Sequence, residues 1–502
     1  MPERLPAFFN KLPWWGQWLV ISVLALIIYA PIVNNSFLND DFSIIKGVCV
    51  DENLNTNGFF RPLSDISIFL DYQLFHMNPA GYYLTGIFLH ALSTLLLFHF
   101  CLRWRCFSND TLQGSFALIA ALLFLTYPFH NESVAWILGR GALMANLVGM
   151  AALLILVSDA KEVYKMCGVC LCYFVGLAIY ESVIVLPALI ILYILVVKRS
   201  ARMAGWWTLF LGITFITHFI LRYWVSGTIT GEYGAGFFSN GVSGIVVNAF
   251  KVCGRMILPP MYNAKIFTLT FSIILVLLVL IVVYLWRQIK NNKQAGTFFL
   301  LQCSFLLIAL ALPFITSVST HTSESDRFLH FPSYFFCILT AFSLVVLFKD
   351  YKWLLVVLAL ILSYQVYFLE KNNWNWRKAS YAVRTVLEII REHPPGQKVY
   401  VVNLPDEIDG AFVFRNGFKE ALELNNMDTS SVVVVSQLKR DEEIKIPGNI
   451  QPQILPHQTF IPPFLMIENP GNNRYSNDNK IHIVIAKNEM IIYWNKERWV
   501  KL

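Results

Sequence analysis

Charged side chains are scarce in this chain of 502 residues, since only 14% of them are Asp, Glu, Lys or Arg and 56% are hydrophobic. Soluble domains carry roughly 25% charged residues. The deficit lies in the first three-quarters of the sequence, where apolar runs of about 15–21 residues recur, close to the length that a helix needs to cross a bilayer. The composition therefore excludes an ordinary soluble protein and predicts an α-helical, polytopic membrane protein.

None of the nine cysteines follows Cys337, so the C-terminal part of the chain has no cysteine for a disulfide bond. No disulfide framework is expected. The sequence also contains no internal repeat. The net charge of +7 reflects lysines and arginines between the apolar runs, so nucleic acid is not an expected partner.

Eleven apolar segments meet the length criterion for membrane spans, and the first is too long to be a removable signal peptide. They are Trp14–Val33, Tyr82–Leu102, Gly114–Tyr127, Ala142–Val157, Tyr164–Tyr180, Ser182–Val197, Gly205–Val225, Phe267–Trp286, Thr297–Ile315, Phe331–Phe348 and Trp353–Leu369.

The positive-inside rule fixes the expected orientation of these spans. With the N-terminus inside, the mostly short inside segments hold fourteen Lys and Arg residues, whereas the longer outside segments before the last span hold seven. An odd number of spans then places the C-terminal tail outside the cytoplasm. We expect a bacterial inner membrane protein.

The chain divides into two predicted domains, a transmembrane domain of residues 1–370 and a tail of residues 371–502. The tail opens with a predicted amphipathic helix, Trp374–Arg391, and continues with short β-rich runs. We therefore predict a small soluble α/β domain. The four runs are Val399–Asn403, Ser431–Ser436, Ile481–Ala486 and Met490–Trp494.

Two outside segments are predicted to form helices at the membrane surface. In the first, Pro62 suits a first helical turn, and apolar residues then recur at helical spacing down to Leu74. In the second, Asn248, Lys251 and Arg255 form one polar stripe on an apolar helix. Lys251 and Arg255 are either snorkelling cations or ligands of an anionic lipid headgroup.

Asp40 and Asp41 follow the first span closely. Adjacent carboxylates repel each other, so they must be solvated, paired or bound to a metal. A pair of this kind can supply a general base, or help to hold a hard divalent cation such as Mg²⁺ or Mn²⁺. The alternative is a solvated beginning of a loop.

Further ionisable residues gather at the predicted outer boundary of the spans, where such groups often mark function. The arginine guanidinium group commonly binds phosphate through two parallel hydrogen bonds. The outer arginines are therefore candidates for binding a lipid phosphate. The alternative is simple structural pairing of arginines with carboxylates. These outer residues are Arg61, His130, Glu132, Arg140, Glu181, Glu324, Asp326 and Arg327.

Several motifs resemble one known group of enzymes. They are Phe37-Leu-Asn-Asp-Asp41, Phe60-Arg-Pro-Leu63, Asp71-Tyr72, Asn78-Pro79, Gly81-Tyr82, His90-Ala91, Tyr127-Pro-Phe-His-Asn-Glu-Ser-Val-Ala135, Gly139-Arg140 and Glu324-Ser-Asp-Arg-Phe-Leu-His-Phe-Pro-Ser333. In this order they resemble the GT-C superfamily of membrane glycosyltransferases. The branch most like them holds the protein O-mannosyltransferases and the transmembrane O-mannosyltransferases with tetratricopeptide repeats.

The resemblance implies a GT-C-like fold and transfer of a sugar from a polyprenyl-phosphate donor to a protein or glycan acceptor. It implies that Asp40 or Asp41 is the catalytic base of an inverting displacement. Glu132, with His130 beside it, is then the second acid that orients the acceptor or shares a cation. The chain departs from that branch in lacking tetratricopeptide repeats and in reading Tyr180-Glu181 where a Lys-Glu pair is expected.

Two other function classes fit a polytopic bundle. A transporter or flippase of lipid-linked glycans would place ionisable groups near mid-membrane, whereas here they collect at one face. A catalytically inactive scaffold would not need the acidic pair. Both observations favour the enzyme.

Overall fold

The structure is a computed structural model. It describes residues 9–53, 60–229, 241–394, 396–438, 465–468, 481–484 and 489–502.

The chain forms two compact units, and the second includes a short segment near the N-terminus as well as the tail. The first unit comprises Met1–Asn34 and Gly47–Trp374, and the second comprises Asn35–Lys46 and Asn375–Leu502. The segment that carries Asp40 and Asp41 thus belongs to the same unit as the C-terminal tail. The predicted domain limits of 1–370 and 371–502 stay a prediction.

The first unit is built almost wholly of helices, and their order follows the predicted spans. Among the described residues, nine helical segments are long and apolar enough to cross a membrane: Trp14–Ile32, Pro79–Arg103, Glu162–Ile179, Glu181–Lys198, Ala201–Ser226, Ala264–Ile289, Lys293–Thr316, Asp326–Leu347 and Tyr351–Arg391. The apolar helices Asp110–Leu125 and Arg140–Leu156 are shorter. Each predicted span therefore coincides with an apolar helix, and the class of polytopic helical membrane protein is confirmed. The number eleven stays a prediction.

Polar residues fix the beginnings of several of these helices. Side-chain oxygens of Asn78, Asn109, Asn263 and Asn292 accept hydrogen bonds from backbone N–H groups of the first turn. Ser200 does the same for the helix Ala201–Ser226. Such caps satisfy donors that have no partner inside the helix.

The helix Pro62–Phe75 turns its polar face inward. Ser64, Asp65 and Asp71 are buried, whereas Leu70 and Leu74 are 56% and 72% exposed. In water this arrangement would be unfavourable, but it suits a helix whose apolar face meets lipid. The predicted helix is confirmed, and its place at the membrane surface stays a prediction.

The helix Tyr351–Arg391 is longer than expected, since its 41 residues unite the last predicted span with the predicted amphipathic helix. Nothing in Lys371–Asn373 breaks a helix, because neither Pro nor Gly occurs there. The first unit also contains two shorter helices, Val242–Arg255 and Leu186–Tyr193, and the helical turn Asn131–Val134.

The second unit holds a four-stranded sheet in the order Trp499–Lys501, Met490–Trp494, Val399–Val402, Val432–Val434. The strand Val399–Val402 is parallel to both neighbours, and the C-terminal strand is antiparallel to Met490–Trp494. Val402, Ile483, Ile491 and Tyr493 form a buried core. The small C-terminal α/β region is therefore confirmed.

The described part of the second unit also contains three further strand pairs and the helices Asp40–Ile44 and Phe418–Leu424. The pairs are Leu404–Pro405 with Gln437–Leu438, Glu407–Ile408 with Ala411–Phe412, and Leu465–Glu468 with Ile481–Val484. The end of the predicted run Ile481–Ala486 lies outside the described residues.

Candidate active site

Asp40 and Asp41 begin a short helix, Asp40–Ile44, directly after a backbone turn at Asn39. Asn39 has a φ of 50°, a left-handed value that is uncommon for a residue other than glycine. The Asp41 side chain is 2% exposed, and its Oδ2 accepts a hydrogen bond from the Leu38 N–H at 3.0 Å. Asp41 thus stabilises the turn, whereas the neighbouring Asp40 is half-buried.

Residues of the C-terminal tail hold this acidic turn, which we define as residues 38–41. The Asn416 amide donates to Asp40 Oδ1 at 2.9 Å, and the Asn416 N–H donates to Asn39 Oδ1 at 2.8 Å. The Asn39 N–H in turn donates to the Val413 carbonyl oxygen at 2.9 Å. At Gly417, with a φ of 78°, a Cβ atom would collide with the Asn39 carbonyl oxygen. The tail therefore contributes directly to the position of the Asp40 carboxylate.

An ion pair between Lys46 and Glu423 adds a second link between the acidic segment and the tail. The hydrogen bond from Lys46 lowers the pKa of Glu423. Both side chains are about one-third exposed, so the pair contributes little to stability.

In the first unit, Glu181 lies between two arginines. Arg61 donates from Nε and Nη2 to Glu181 Oε2 at 3.1 and 2.7 Å, and Arg222 donates from Nη1 to Oε1 at 3.0 Å. The Arg222 side chain is 3% exposed. Its Nε is buried and has no hydrogen-bond partner among the described residues. Two guanidinium groups thus share one carboxylate.

Tyr180 links this group to a third arginine. The Arg61 guanidinium lies 4.3 Å from the centre of the Tyr180 ring, and Arg327 Nε donates to the Tyr180 hydroxyl at 3.3 Å. Arg327 also pairs with Glu132, which is fully buried. Burial raises the pKa of Glu132, and the Arg327 charge opposes that shift.

We define the arginine cluster as Arg61, Arg222 and Arg327 together with Tyr180, Glu132 and Glu181. Three guanidinium groups and two carboxylates are thus connected by ion pairs and by Tyr180. A cluster of this composition can bind an anion, and guanidinium groups fit the geometry of phosphate.

Two other predicted arginines lie in buried ion pairs. Arg140 pairs with Asp71 on the inward face of the helix Pro62–Phe75. Arg255 donates from Nη2 to both oxygens of Asp326 at 2.6 and 2.8 Å, and both side chains are fully buried. Arg255 also donates to the carbonyl oxygens of Ser319 and Leu258. These contacts are the ones expected of structural pairing, and a role of Arg140 and Arg255 in binding phosphate stays a prediction.

Asp65 lies six residues before Asp71 in the same helix, and it is buried as well, at 6% exposed. Burial raises the pKa of Asp65 to about 7, and the nearby Arg61 charge opposes the shift. A carboxyl that titrates near neutral pH can donate or accept a proton. Neither Asp65 nor Asp71 was predicted as a site residue, although their spacing on a predicted helix was the available signal.

Three histidines come together in the interior of the first unit. His90, His130 and His330 are fully buried, and one ring nitrogen of each lies within 4.8 Å of the others. Of the three, only His130 is a predicted site residue. Burial, together with the neighbouring His330 and His90, lowers the pKa of His130 well below its usual value, so this ring is neutral.

Two predicted site residues remain to be located. Lys251 is half-buried on the helix Val242–Arg255, and Glu324 is half-buried in the segment before Asp326. Arg222 was missed because it falls inside a predicted span. Its charge at the end of an apolar run was the signal that could have revealed it.

An apolar cavity of about 320 Å³ also belongs to the first unit. Its walls include Tyr127, Phe129, Met256, Phe336 and Tyr364. Such a surface can accept part of a lipid tail.

Comparison with known proteins gives partial matches. No protein-family model matches the sequence. The chain is 36% identical over 125 residues to protein O-mannosyl-transferase TMTC1 of Homo sapiens, which covers 25% of this chain and 13% of the relative. It is 29% identical over 157 residues to protein O-mannosyl-transferase TMTC2 of Homo sapiens, covering 27% of this chain and 18% of the relative. The chain thus matches less than a fifth of the length of either relative.

Among solved structures, ArnT from Cupriavidus metallidurans, crystallised with undecaprenyl phosphate, is similar with a TM-score of 0.48 and 12% sequence identity. The similarity covers 84% of this chain and 89% of ArnT. The resemblance to transmembrane O-mannosyltransferases that the motifs indicate is confirmed by the sequence matches.

Proposed function

We propose that this chain is a membrane glycosyltransferase that transfers a sugar from a polyprenyl-phosphate donor to a hydroxyl group of an acceptor on the non-cytoplasmic face. The arginine cluster is the observation that carries the proposal. The matched relatives are named protein O-mannosyl-transferases, which supports a hexose as the sugar and a protein as the acceptor.

The arginine cluster would bind the donor phosphate. Arg61, Arg222 and Arg327 lie at helix ends that the lysine and arginine count assigns to the outer face. A lipid phosphate lies at that depth, and partial burial strengthens its attraction to a guanidinium group. Glu132 and Glu181 would hold the arginines in place through the ion pairs described above.

The lipid part of the donor would use apolar surface of the same unit. The outward residues of the helix Pro62–Phe75 suit contact with acyl chains, and the cavity beside Tyr127 and Phe129 suits part of an isoprenoid chain. Both surfaces are available without exposing a charged group to hydrocarbon.

Asp40 would be the general base. As the acceptor oxygen attacks the anomeric carbon, its proton passes to the Asp40 carboxylate. The bond from the anomeric carbon to the phosphate oxygen breaks, and polyprenyl phosphate leaves with the bonding electrons. One displacement inverts the anomeric centre. Asp41 is the weaker candidate because its carboxylate is buried and caps the turn.

A divalent cation such as Mg²⁺ or Mn²⁺ remains proposed at Asp40 and Asp41. One oxygen of each carboxylate accepts a hydrogen bond from an N–H group, so only part of each is accessible to a hard cation. If a cation participates, EDTA should abolish transfer, and added Mg²⁺ or Mn²⁺ should restore it. Activity that is insensitive to EDTA would contradict this proposal.

The experiment uses the purified full chain in detergent with polyprenyl-phosphate [¹⁴C]mannose and a Ser/Thr-rich peptide. We expect labelled peptide and a stoichiometric loss of donor. Asp40→Asn keeps the size of the side chain but removes the base, and it should lower turnover by about 100-fold or more. Asp110→Asn, at an exposed helix start, is the matched control.

Three outcomes would contradict the proposal. Full turnover of Asp40→Asn would exclude the base. Absence of transfer with mannose, glucose and N-acetylhexosamine donors would exclude the transferase, and movement of intact donor across a vesicle membrane would support a transporter instead. A folded protein that does not bind polyprenyl phosphate would support a scaffold.

A further inference from the structure

Three separate segments contribute the buried histidines. His90 lies in the middle of the helix Pro79–Arg103, His130 follows the helix Asp110–Leu125, and His330 begins the helix His330–Leu347. The ring centres of His130 and His330 are 4.4 Å apart, and those of His90 and His130 are 5.0 Å apart. We define these three residues as the histidine triad.

Each ring has one nitrogen in a hydrogen bond and one without. His90 Nε2 contacts the Leu125 carbonyl oxygen at 3.3 Å, and His130 Nε2 contacts Ser333 Oγ at 2.7 Å. His90 Nδ1, His130 Nδ1 and His330 Nε2 are buried and have no hydrogen-bond partner among the described residues. Three buried polar atoms without partners in one place need an explanation.

The hydrogen bonds fix which nitrogens carry lone pairs. A carbonyl oxygen only accepts, so His90 carries its proton on Nε2 and a lone pair on Nδ1. The Ser333 hydroxyl donates to the His330 carbonyl oxygen at 2.6 Å, so it accepts from His130 Nε2 and leaves the lone pair on His130 Nδ1. Two lone pairs therefore lie on buried nitrogens that have no partner among the described residues.

His330 completes the set through Asn146. Its Nδ1 contacts Asn146 Nδ2 at 3.2 Å, while Asn146 Oδ1 accepts from the Ser182 hydroxyl at 2.7 Å. A half-turn of this amide presents Oδ1 to His330, and the Ser182 hydroxyl can then accept from the amide nitrogen. His330 Nδ1 becomes the donor, and Nε2 gains the third lone pair.

We propose that the histidine triad binds a transition-metal ion of the zinc type. Neutral imidazole nitrogens suit Zn²⁺, Cu²⁺ and Ni²⁺, whereas Mg²⁺ and Ca²⁺ require oxygen ligands. Zinc–nitrogen bonds of about 2.0–2.1 Å place neighbouring ligands about 3.4 Å apart in a tetrahedral site. One ring nitrogen of each histidine lies within 4.8 Å of the others, so the rings would have to move closer together around an ion.

The partners of the second ring nitrogens support this assignment. Metal-binding histidines nearly always donate their other N–H to a carbonyl, a carboxylate or a comparable acceptor, which fixes the orientation of the ring. Leu125 and Ser333 provide these acceptors for His90 and His130, and the Asn146 amide would provide one for His330 after the half-turn described above.

The ion would tie together the segments that carry the Glu132–Arg327 pair. His130 lies two residues before Glu132, and His330 lies three residues after Arg327. A metal ion held by both segments would restrict the relative movement of the pair. This role is structural, and it is distinct from a hard cation at Asp40 and Asp41.

The experiment measures metal content, which does not depend on the proposed transfer reaction. The full chain, purified in detergent with a tag that contains no histidine, is stripped with chelator and reloaded with Zn²⁺ or Co²⁺. We expect one ion per chain by mass spectrometry of the metals, and visible cobalt bands typical of low coordination number. His90→Gln and His130→Gln should each lower the retained metal at least tenfold, whereas His99→Gln, on the same helix as His90, should retain it.

A variant that keeps a ligand guards against simple misfolding. His330→Cys should still bind cobalt and should add a thiolate-to-cobalt charge-transfer band in the near ultraviolet. The proposal is overturned if the reloaded wild type holds no stoichiometric metal, which would leave an ordered water between the three nitrogens. It is also overturned if His90→Gln and His130→Gln retain the ion, or if His330→Cys binds cobalt without the new band.

Discussion

Arg222 offers the sharpest test of the arginine cluster, because its buried Nε has no partner in the part of the chain that the structure describes, while its Nη1 donates to Glu181. We expect Arg222→Ala to weaken binding of a polyprenyl-phosphate donor. A charge-assisted hydrogen bond contributes about 1.5–3 kcal/mol, so the affinity should fall about 10- to 150-fold. A fluorescent polyprenyl phosphate, titrated against the protein in detergent, gives the dissociation constant.

The effect of Arg222→Ala on stability should be smaller than the burial of the residue alone would indicate. Removing one member of a buried ion pair costs about 3–5 kcal/mol when the other charge is left alone. Glu181 retains two hydrogen bonds from Arg61, so its charge stays paired. We therefore expect a loss of free energy of unfolding within the range of one charge-assisted hydrogen bond, about 1.5–3 kcal/mol.

A double-mutant cycle separates direct binding from positioning. If Arg222 contacts the phosphate, Arg222→Ala lowers donor affinity in the wild type and also in Glu181→Gln. If Arg222 only orients Arg61 through Glu181, the second loss disappears. Arg202→Ala, on an exposed turn of the same helix, is the matched control and should bind normally. Donor affinity that changes less than twofold in both backgrounds would refute the phosphate site.

Three further predictions concern the acidic turn, a buried carboxyl and the topology. Gly417→Ala should lower turnover by displacing the turn that carries Asp40, because the new Cβ would collide with the turn's backbone; transfer assays with saturating donor will measure the loss. Asp65 has a pKa of about 7 in the folded state against 3.8 in the unfolded chain, so its contribution to stability is full below pH 3.8 and is lost as the pH rises through 7. Asp65→Asn should therefore reduce the fall in thermal stability between pH 5 and pH 8. Reporter fusions at Leu502 and Gln294 should indicate opposite sides of the membrane.

Each of these tests has its own control or contrary result. Gly396 has a φ of 81° but open space around it, so Gly396→Ala imposes the same backbone strain without the collision and should leave turnover intact. If Asp65→Asn retains the full pH dependence, another group is responsible. Fusions that report the same side would mean that an even number of spans separates Gln294 from Leu502.

The sequence was sufficient for the features that depend on local pattern. Apolar runs predicted the helices of the first unit, and Pro62 with the spaced leucines predicted Pro62–Phe75. The polar face of that helix could not be assigned a role, because burial of Asp65 and Asp71 depends on neighbours distant in sequence.

The arginine cluster depends on contacts that no local pattern contains. Arg61 and Glu181 are 120 residues apart, and Arg327 and Glu132 are 195 residues apart. Individual residues could be selected for charge at a membrane edge, but their pairing requires the tertiary fold. Arg222 was overlooked because hydropathy averages over a window and hides a single cation. The histidine triad was hidden in the same way, since His90 lies within an apolar helix.

The contacts between the tail and the acidic turn have a consequence for biosynthesis. Asp40 and the Asn416 amide that donates to it are 376 residues apart. At about 5–20 residues per second, a ribosome needs about 20–75 s to pass from one to the other. During that interval the acidic turn has been synthesised but lacks Val413, Asn416 and Gly417, the residues that contact it. A chain cut short before Val413 would carry Asp40 without this support, so nascent and truncated copies would lack the finished turn.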